Sequence, residues 1–201
     1  VTDCYQPAER QFAITRACIA VAAECRQPIV IITKNALVLR DLDLLKELAA
    51  HRAVCVGISI TTLDAKLARI MEPRTSSPDA RLRTIRALSA AGIPTRLMLA
   101  PVIPGLNDTE IPALLTAARD SGADSAGYVL LKLSTTVKDV FLDWLQRSCP
   151  DRYSKVEAMI RSTRDGKLND TKFGRRQRGT GNVADLIADT SFFISSFGED
   201  E

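Results

Sequence analysis

The chain has 201 residues, 46% of them hydrophobic, and a formal net charge of +3, which allows one domain with a sizeable core or two small ones. So small a charge does not by itself point to nucleic acid. No apolar run is long enough to span a bilayer and no signal peptide is visible, so cytoplasm is the default location.

Val1 to Asp3 reads as the last turn of a strand, with Cys4 to Gln6 as its loop. The first residue is not Met, so a chain trimmed at its N-terminus is the expectation. Pro7 suits a first helical turn, and a helix is predicted from there to about Cys25. Pro28 to Ile32 is a short, β-branched strand of the kind covered on both faces, ending in Thr33, Lys34 and Asn35. A leucine-rich helix follows over Leu37 to Ala50. Ala53 to Ile60 is the next strand, followed by Thr61 and Thr62. A short helix over Leu63 to Met71 stops at Pro73. Ser77, Pro78 and Asp79 open a longer helix with a capping hydroxyl, a first-turn proline and an acid at the positive end of the dipole. That helix ends at Gly92. Thr95 to Ala100 is a strand, Pro101 to Asp108 a turn, and Asp108 is expected to cap a helix over Thr109 to Asp120. Ser125 to Leu133 is the last predicted strand.

Five consecutive βα steps point to a parallel barrel or part of one, with a doubly wound open sheet as the alternative. No G-x-G-x-x-G opens a helix, which weighs against a dinucleotide site. After Leu133 the pattern turns helical: Thr136 to Ser148, Asp151 to Arg164, and a final amphipathic helix over Asn182 to Phe197. Residues 1–133 are therefore read as the barrel portion and 134–201 as a helical extension.

Ligands of parallel sheets bind beyond the carboxyl ends of the strands. The strand ends supply Asp3 to Gln6, then Thr33 and Lys34, then Ser59, Thr61 and Thr62, then Pro101 to Asn107. One rim gathering these would offer a cation, hydroxyls and an amide, materials for a small zwitterionic or phosphorylated ligand. Taken singly, each is equally an ordinary polar loop residue, and Lys34 is equally a solvated lysine. Glu72 and Arg81 form a buried pair that pins a loop, or Arg81 turns toward a ligand, or both are surface residues. His51, the one histidine, stands at a helix end away from this rim, which argues against histidine-based triads. Lys167 to Arg178 is basic, suited to phosphates or simply solvated. The five cysteines (Cys4, Cys18, Cys25, Cys55, Cys149) form neither a C-x-x-C pair nor a zinc ribbon and read as reduced thiols.

The runs TDCYQPAE, IITKN, GISITT, EPRTSSPDARL, AGIP and APVIPGLND resemble the radical S-adenosylmethionine enzymes grouped with spore photoproduct lyase, often labelled DNA repair photolyases. The likeness covers essentially the whole chain, the FGRRQRGTG tail included. It implies a partial (β/α) barrel of the radical SAM type, here with its first strand and cluster loop missing, and a C-terminal helical extension. It implies two cofactors, S-adenosylmethionine and a [4Fe–4S] cluster, and a 5′-deoxyadenosyl radical that takes hydrogen from substrate. By position it implies cofactor contacts at Tyr5, Gln6, Lys34, Ser59, Arg81, Pro101 and Asn107. It also implies an electron donor such as flavodoxin or ferredoxin, no membrane, and a DNA or other nucleic-acid partner at Lys172, Arg175, Arg176 and Arg178. The chain departs from the family in having no C-x-x-x-C-x-x-C, so cluster ligands are expected upstream of Val1 and this chain by itself is expected to be inactive. Two other classes stay open: a cluster-free barrel lyase or aldolase with Lys34 as Schiff-base amine, and a non-catalytic nucleic-acid-binding remnant.

Overall fold

In the computed structural model the described residues are 3–169 and 178–192. Four strands form one parallel sheet in the order β1 (Ile29–Thr33), β2 (Val54–Ser59), β3 (Thr95–Val102) and β4 (Ser125–Leu130). Four of the five expected strands are therefore found. The expected first strand end lies mostly outside the described residues, and Asp3 belongs to no strand.

Side chains alternate along each strand, so the sheet has two unlike faces. Ile31, Val54, Val56, Ile58, Leu97, Leu99, Ala126 and Leu130 point to one face and form the main core. The helices packed there are α2 (Ile14–Glu24), α3 (Leu42–Ala50), α5 (Pro78–Ala90) and α6 (Ile111–Asp120). The other face carries Val30, Ile32, Cys55, Arg96, Met98, Ser125, Gly127 and Val129, all exposed or half-buried. Among the described residues the helical cover lies on one side, whereas a doubly wound sheet has helices on both faces.

The predicted first helix is broken. It is α1 (Glu9–Phe12), then Ala13 at φ 50°, then α2. The cause is Glu9, which is buried and turns its carboxylate onto the first amides of α2, Thr15 N at 3.0 Å and Arg16 N at 3.4 Å. The carboxylate takes the part of an N-cap side chain. A 3₁₀ segment, Ala36–Asp41, precedes α3, capped by Asn35, whose Oδ1 accepts from Leu37 N at 3.0 Å. The short helix α4 spans Ala65–Met71 with Asp64 as its cap, and Ser77 caps α5 as predicted. Asp108 does not cap a helix. It lies in a 3₁₀ turn ahead of α6 and accepts from Gly105 N at 3.0 Å.

Beyond the sheet, α7 (Thr135–Ser148) and α8 (Tyr153–Ser162) build a second cluster, in which Leu133, Leu145, Val156 and Ile160 pack on Ile103 and Leu106. The last described helix, α9 (Asn182–Phe192), returns to α6 and β4 and adds Ala184 and Ile187 to the main core. The rest of the predicted final helix lies outside the described residues. Gly179, at φ 74°, lies where an added Cβ would stand 2.7 Å from Leu130 Cδ1. Among the described residues no helix is long and apolar enough to cross a membrane.

Candidate functional site

Parallel strands leave their last carbonyls and loops at one end of the sheet. Here that end is held by four polar clamps. Asp3 is the first: its Oδ1 accepts from Thr33 Oγ1 at 2.7 Å and Tyr5 N at 2.8 Å, and its Oδ2 accepts from Lys34 N at 2.7 Å. This fixes the N-terminal loop beside the end of β1.

Arg81 is the second clamp. It reaches from α5 across the end of β2 and is 1% exposed. Its Nη1 donates to Ser59 O at 2.7 Å and its Nε to Ser76 O at 2.8 Å, while Nη2 donates to Glu72 Oε2 at 2.6 Å and to Thr75 Oγ1. Arg81 thus pins the 72–77 loop. Glu72 is shared, because its Oε1 accepts from Lys34 Nζ.

Asn107 is the third, 2% exposed. It accepts from Ile103 N at 2.7 Å and donates to Thr61 O at 2.7 Å and Pro101 O at 3.1 Å, closing the turn after β3 onto the end of β2. Glu110 is the fourth, accepting from Thr62 Oγ1 at 2.6 Å and Leu63 N at 2.8 Å. Thr61 Oγ1 is buried beside these clamps and has no hydrogen-bond partner among the described residues.

Above the clamps lies a cleft of about 390 Å³, within the usual range for small-molecule sites. Its polar corner is Lys34 and Glu72. Its apolar wall includes Pro101, Leu131, Phe141 and Trp144. Phe141 and Trp144 stand side by side on α7, ring centroids 5.6 Å apart. The cleft therefore offers a lysine–glutamate ion pair and a flank of two aromatic rings tilted 35° to each other. That set suits a ligand with a charged zwitterionic end and an apolar ring.

The seven residues predicted for the site divide accordingly. Lys34 and Pro101 line the cleft. Ser59, Arg81 and Asn107 are buried beneath it, with their polar atoms bonded to protein. Tyr5 is fully buried and its hydroxyl donates to Asp41 Oδ2 at 2.9 Å, while its carbonyl accepts from Asn35 Nδ2 at 2.7 Å. Burial and the Asp41 carboxylate push the Tyr5 phenol well above its usual range. Gln6 is exposed. Of the predicted phosphate-binding residues, Arg178 is described and exposed, while Lys172, Arg175 and Arg176 lie outside the described residues.

Sequence reasoning missed the α7 wall. Val137, Val140, Phe141 and Trp144 recur at the spacing of one helix face, and Val137 and Val140 stay exposed at 46% and 69%. An apolar stripe left uncovered by the core was the available signal.

Cys4 lies at the rim, with its Sγ 4.0 Å from Ile32 O. Burial, helped by the Asp3 charge, pushes its thiol up to about 11. All five cysteines are free. Among the described residues no group of three or more His, Cys, Asp or Glu is placed to hold a metal.

Residues 7–118 match the family described as the Radical SAM superfamily. The chain is similar to an uncharacterized protein of Mycobacterium tuberculosis, Rv2578c, 35% identical over 162 residues that make up 80% of this chain and 48% of that protein. It is similar to the uncharacterized protein MJ0683 of Methanocaldococcus jannaschii, 34% identical over 110 residues, 55% of this chain and 41% of that one. It is also similar to ORF301 of Acidianus two-tailed virus, 40% identical over 72 residues, 36% of this chain and 23% of that one. The chain thus spans about half the length of the mycobacterial relative.

Proposed function

The chain belongs to the radical SAM superfamily, and from that premise we propose that the cleft above Lys34 and Glu72 is its S-adenosylmethionine site. In this superfamily S-adenosylmethionine, bound at a [4Fe–4S] cluster, supplies a 5′-deoxyadenosyl radical that takes hydrogen from substrate. The observation that carries the reading is the cleft itself: a lysine–glutamate corner beside an apolar, aromatic wall, at the carboxyl end of a parallel sheet. Lys34 would meet the methionine carboxylate, and Glu72 would take the ammonium. Pro101, Leu131 and Trp144 would flank the adenosine. Arg81, Ser59 and Asn107 act one layer below, holding the loops that shape the cleft. The partial-barrel description fits a sheet whose one face the described helices cover.

The residues of this chain do not fit the cluster. Its cysteines show no C-x-x-x-C-x-x-C spacing, and no described cluster of ligating side chains stands near the cleft. No step through the cluster is assigned to them.

Within the superfamily we place the chain with the spore photoproduct lyase-like group and give it a nucleic-acid substrate. What supports this finer reading is the likeness of EPRTSSPDARL and APVIPGLND, together with the exposed Arg178 in a basic stretch.

Trp144 is the single tryptophan of the chain and lines the cleft, so its emission reports on the site. Titration with S-adenosylmethionine should change that emission saturably. Lys34→Gln should weaken binding about tenfold, the effect of losing one charge-assisted contact. No saturable change in the wild-type chain, or an unchanged affinity in Lys34→Gln, overturns the assignment.

A further inference from the structure

The face of the sheet turned away from the helices carries a single charged side chain on its strands. Register places Ile32, Gly57, Arg96 and Ser125 in one row, and Ser59, Met98 and Gly127 in the next row toward the cleft. Apart from Arg96, every side chain in these rows is small, hydroxylic or apolar.

Arg96 is held in a defined position. Its Nη2 donates to Ala126 O at 3.0 Å on β4. The guanidinium lies over Gly127, where an added Cβ would stand 2.9 Å from Nη2 and 3.1 Å from Nε. The glycine leaves the trough that the guanidinium fills. Arg96 makes no ion pair among the described residues. Asp124, one residue ahead of β4, accepts instead from Thr95 N at 2.7 Å. A guanidinium has five donors, and Arg96 is exposed, so most of this fork has no protein acceptor among the described residues.

An exposed arginine on a helix surface would be ordinary. A parallel strand interior is different, since both faces are usually covered by apolar side chains. A strand rises about 3.3 Å per residue, so the Arg96 Cα lies about 16 Å below Pro101, which lines the cleft. Anything lying along this face from the cleft passes the guanidinium. A guanidinium held over an apolar floor, with no ion pair among the described residues, is a two-pronged receptor for a planar or tetrahedral oxyanion.

We propose that Arg96 binds an anionic oxygen group of the substrate, phosphate or carboxylate, while the rest of the substrate lies along the sheet toward the cleft. This rests on the cleft being the cofactor site, and it names the chemistry that selects the substrate.

The test is phenylglyoxal labelling of the whole chain, read residue by residue by mass spectrometry. Labelling is run with orthophosphate and separately with acetate, at matched ionic strength. The exposed arginines Arg10, Arg26 and Arg52 are the internal reference. At an anion concentration twice its dissociation constant, Arg96 should be protected about threefold while the reference arginines are not. Stronger protection by phosphate assigns a phosphoryl-bearing substrate, and stronger protection by acetate a carboxylate. Gly127→Ala, which displaces the guanidinium, should abolish the protection. Protection of Arg96 no greater than that of the reference arginines overturns the proposal. The two readings fail separately. A silent Trp144 titration removes the cofactor site whatever Arg96 does. An intact titration with an unprotected Arg96 removes only the anion site.

Discussion

Replacing Arg81 with methionine keeps much of the side chain's bulk and removes the guanidinium. Ser59 O, Ser76 O, Thr75 Oγ1 and Glu72 Oε2 then lose their donor. The ion pair is buried at both ends, 2% and 9% exposed. Removing one partner of such a pair typically costs about 3–5 kcal/mol. The lower half of that range applies, because Pro73, Arg74 and Thr75 are exposed and the loop can open to let water reach Glu72. About 3–4 kcal/mol in a chain of this size lowers Tm by roughly 6–16 °C. Arg83, two residues along the same helix, is the control. Its pair with Asp79 is 62% and 77% exposed, so Arg83→Met should cost no more than about 1 kcal/mol. Urea unfolding followed by circular dichroism gives both values, and added salt should narrow only the Arg83 difference. If Arg81→Met falls within about 1 kcal/mol of Arg83→Met, the clamp is not what holds the 72–77 loop.

Three further outcomes follow from the same contacts. Burial pushes the Glu9 carboxyl up, but the Arg40 guanidinium and the Thr15 and Arg16 amides outweigh it and hold it at about 2 against an ordinary 4.5. The unfolded chain therefore binds more protons across that interval, so stability is full above about pH 4.5 and falls as pH drops toward 2. Urea midpoints for Glu9→Gln should be flatter over that window than for wild type, and equal slopes would count against the assignment. With its thiol near 11 instead of 9, Cys4 should hold roughly 100-fold less thiolate at neutral pH than an unperturbed cysteine. Iodoacetamide labelling read by mass spectrometry should find Cys4 well behind exposed Cys18 and Cys25. Asn107→Asp sets a carboxylate oxygen against the carbonyls of Thr61 and Pro101. It should lower stability by about 2–3 kcal/mol and weaken the Trp144 response to S-adenosylmethionine. An unchanged melting curve would show that the turn does not depend on this amide.

The strands were legible because each is a compact β-branched or apolar run bounded by turn residues. The Ser77 cap was legible because its signal lies within a few residues, while the Glu72–Arg81 pair was one of three open readings that packing decided. The break at Ala13 was not, because it depends on Glu9 folding back under the hold of Arg40, which stands 31 residues away. The roles of Ser59 and Asn107 were also hidden. Their positions at strand ends could be read from the chain, but only packing shows that their polar atoms face protein. The α7 wall could have been read from its spacing. The Arg96 trough could not, since it takes the β3–β4 register to put Gly127 beneath the guanidinium.

The return of α9 to the sheet bears on how the chain can be shortened. Residues past 133 include Ala184 and Ile187, which lie in the same core as Leu130, so the α7–α8 hairpin is fastened at both of its ends. A shorter version that stops before Gly179 would turn the packed side of β4 to water and invite self-association there. Any trimmed form should keep 178–192, or carry a polar residue in place of Leu130.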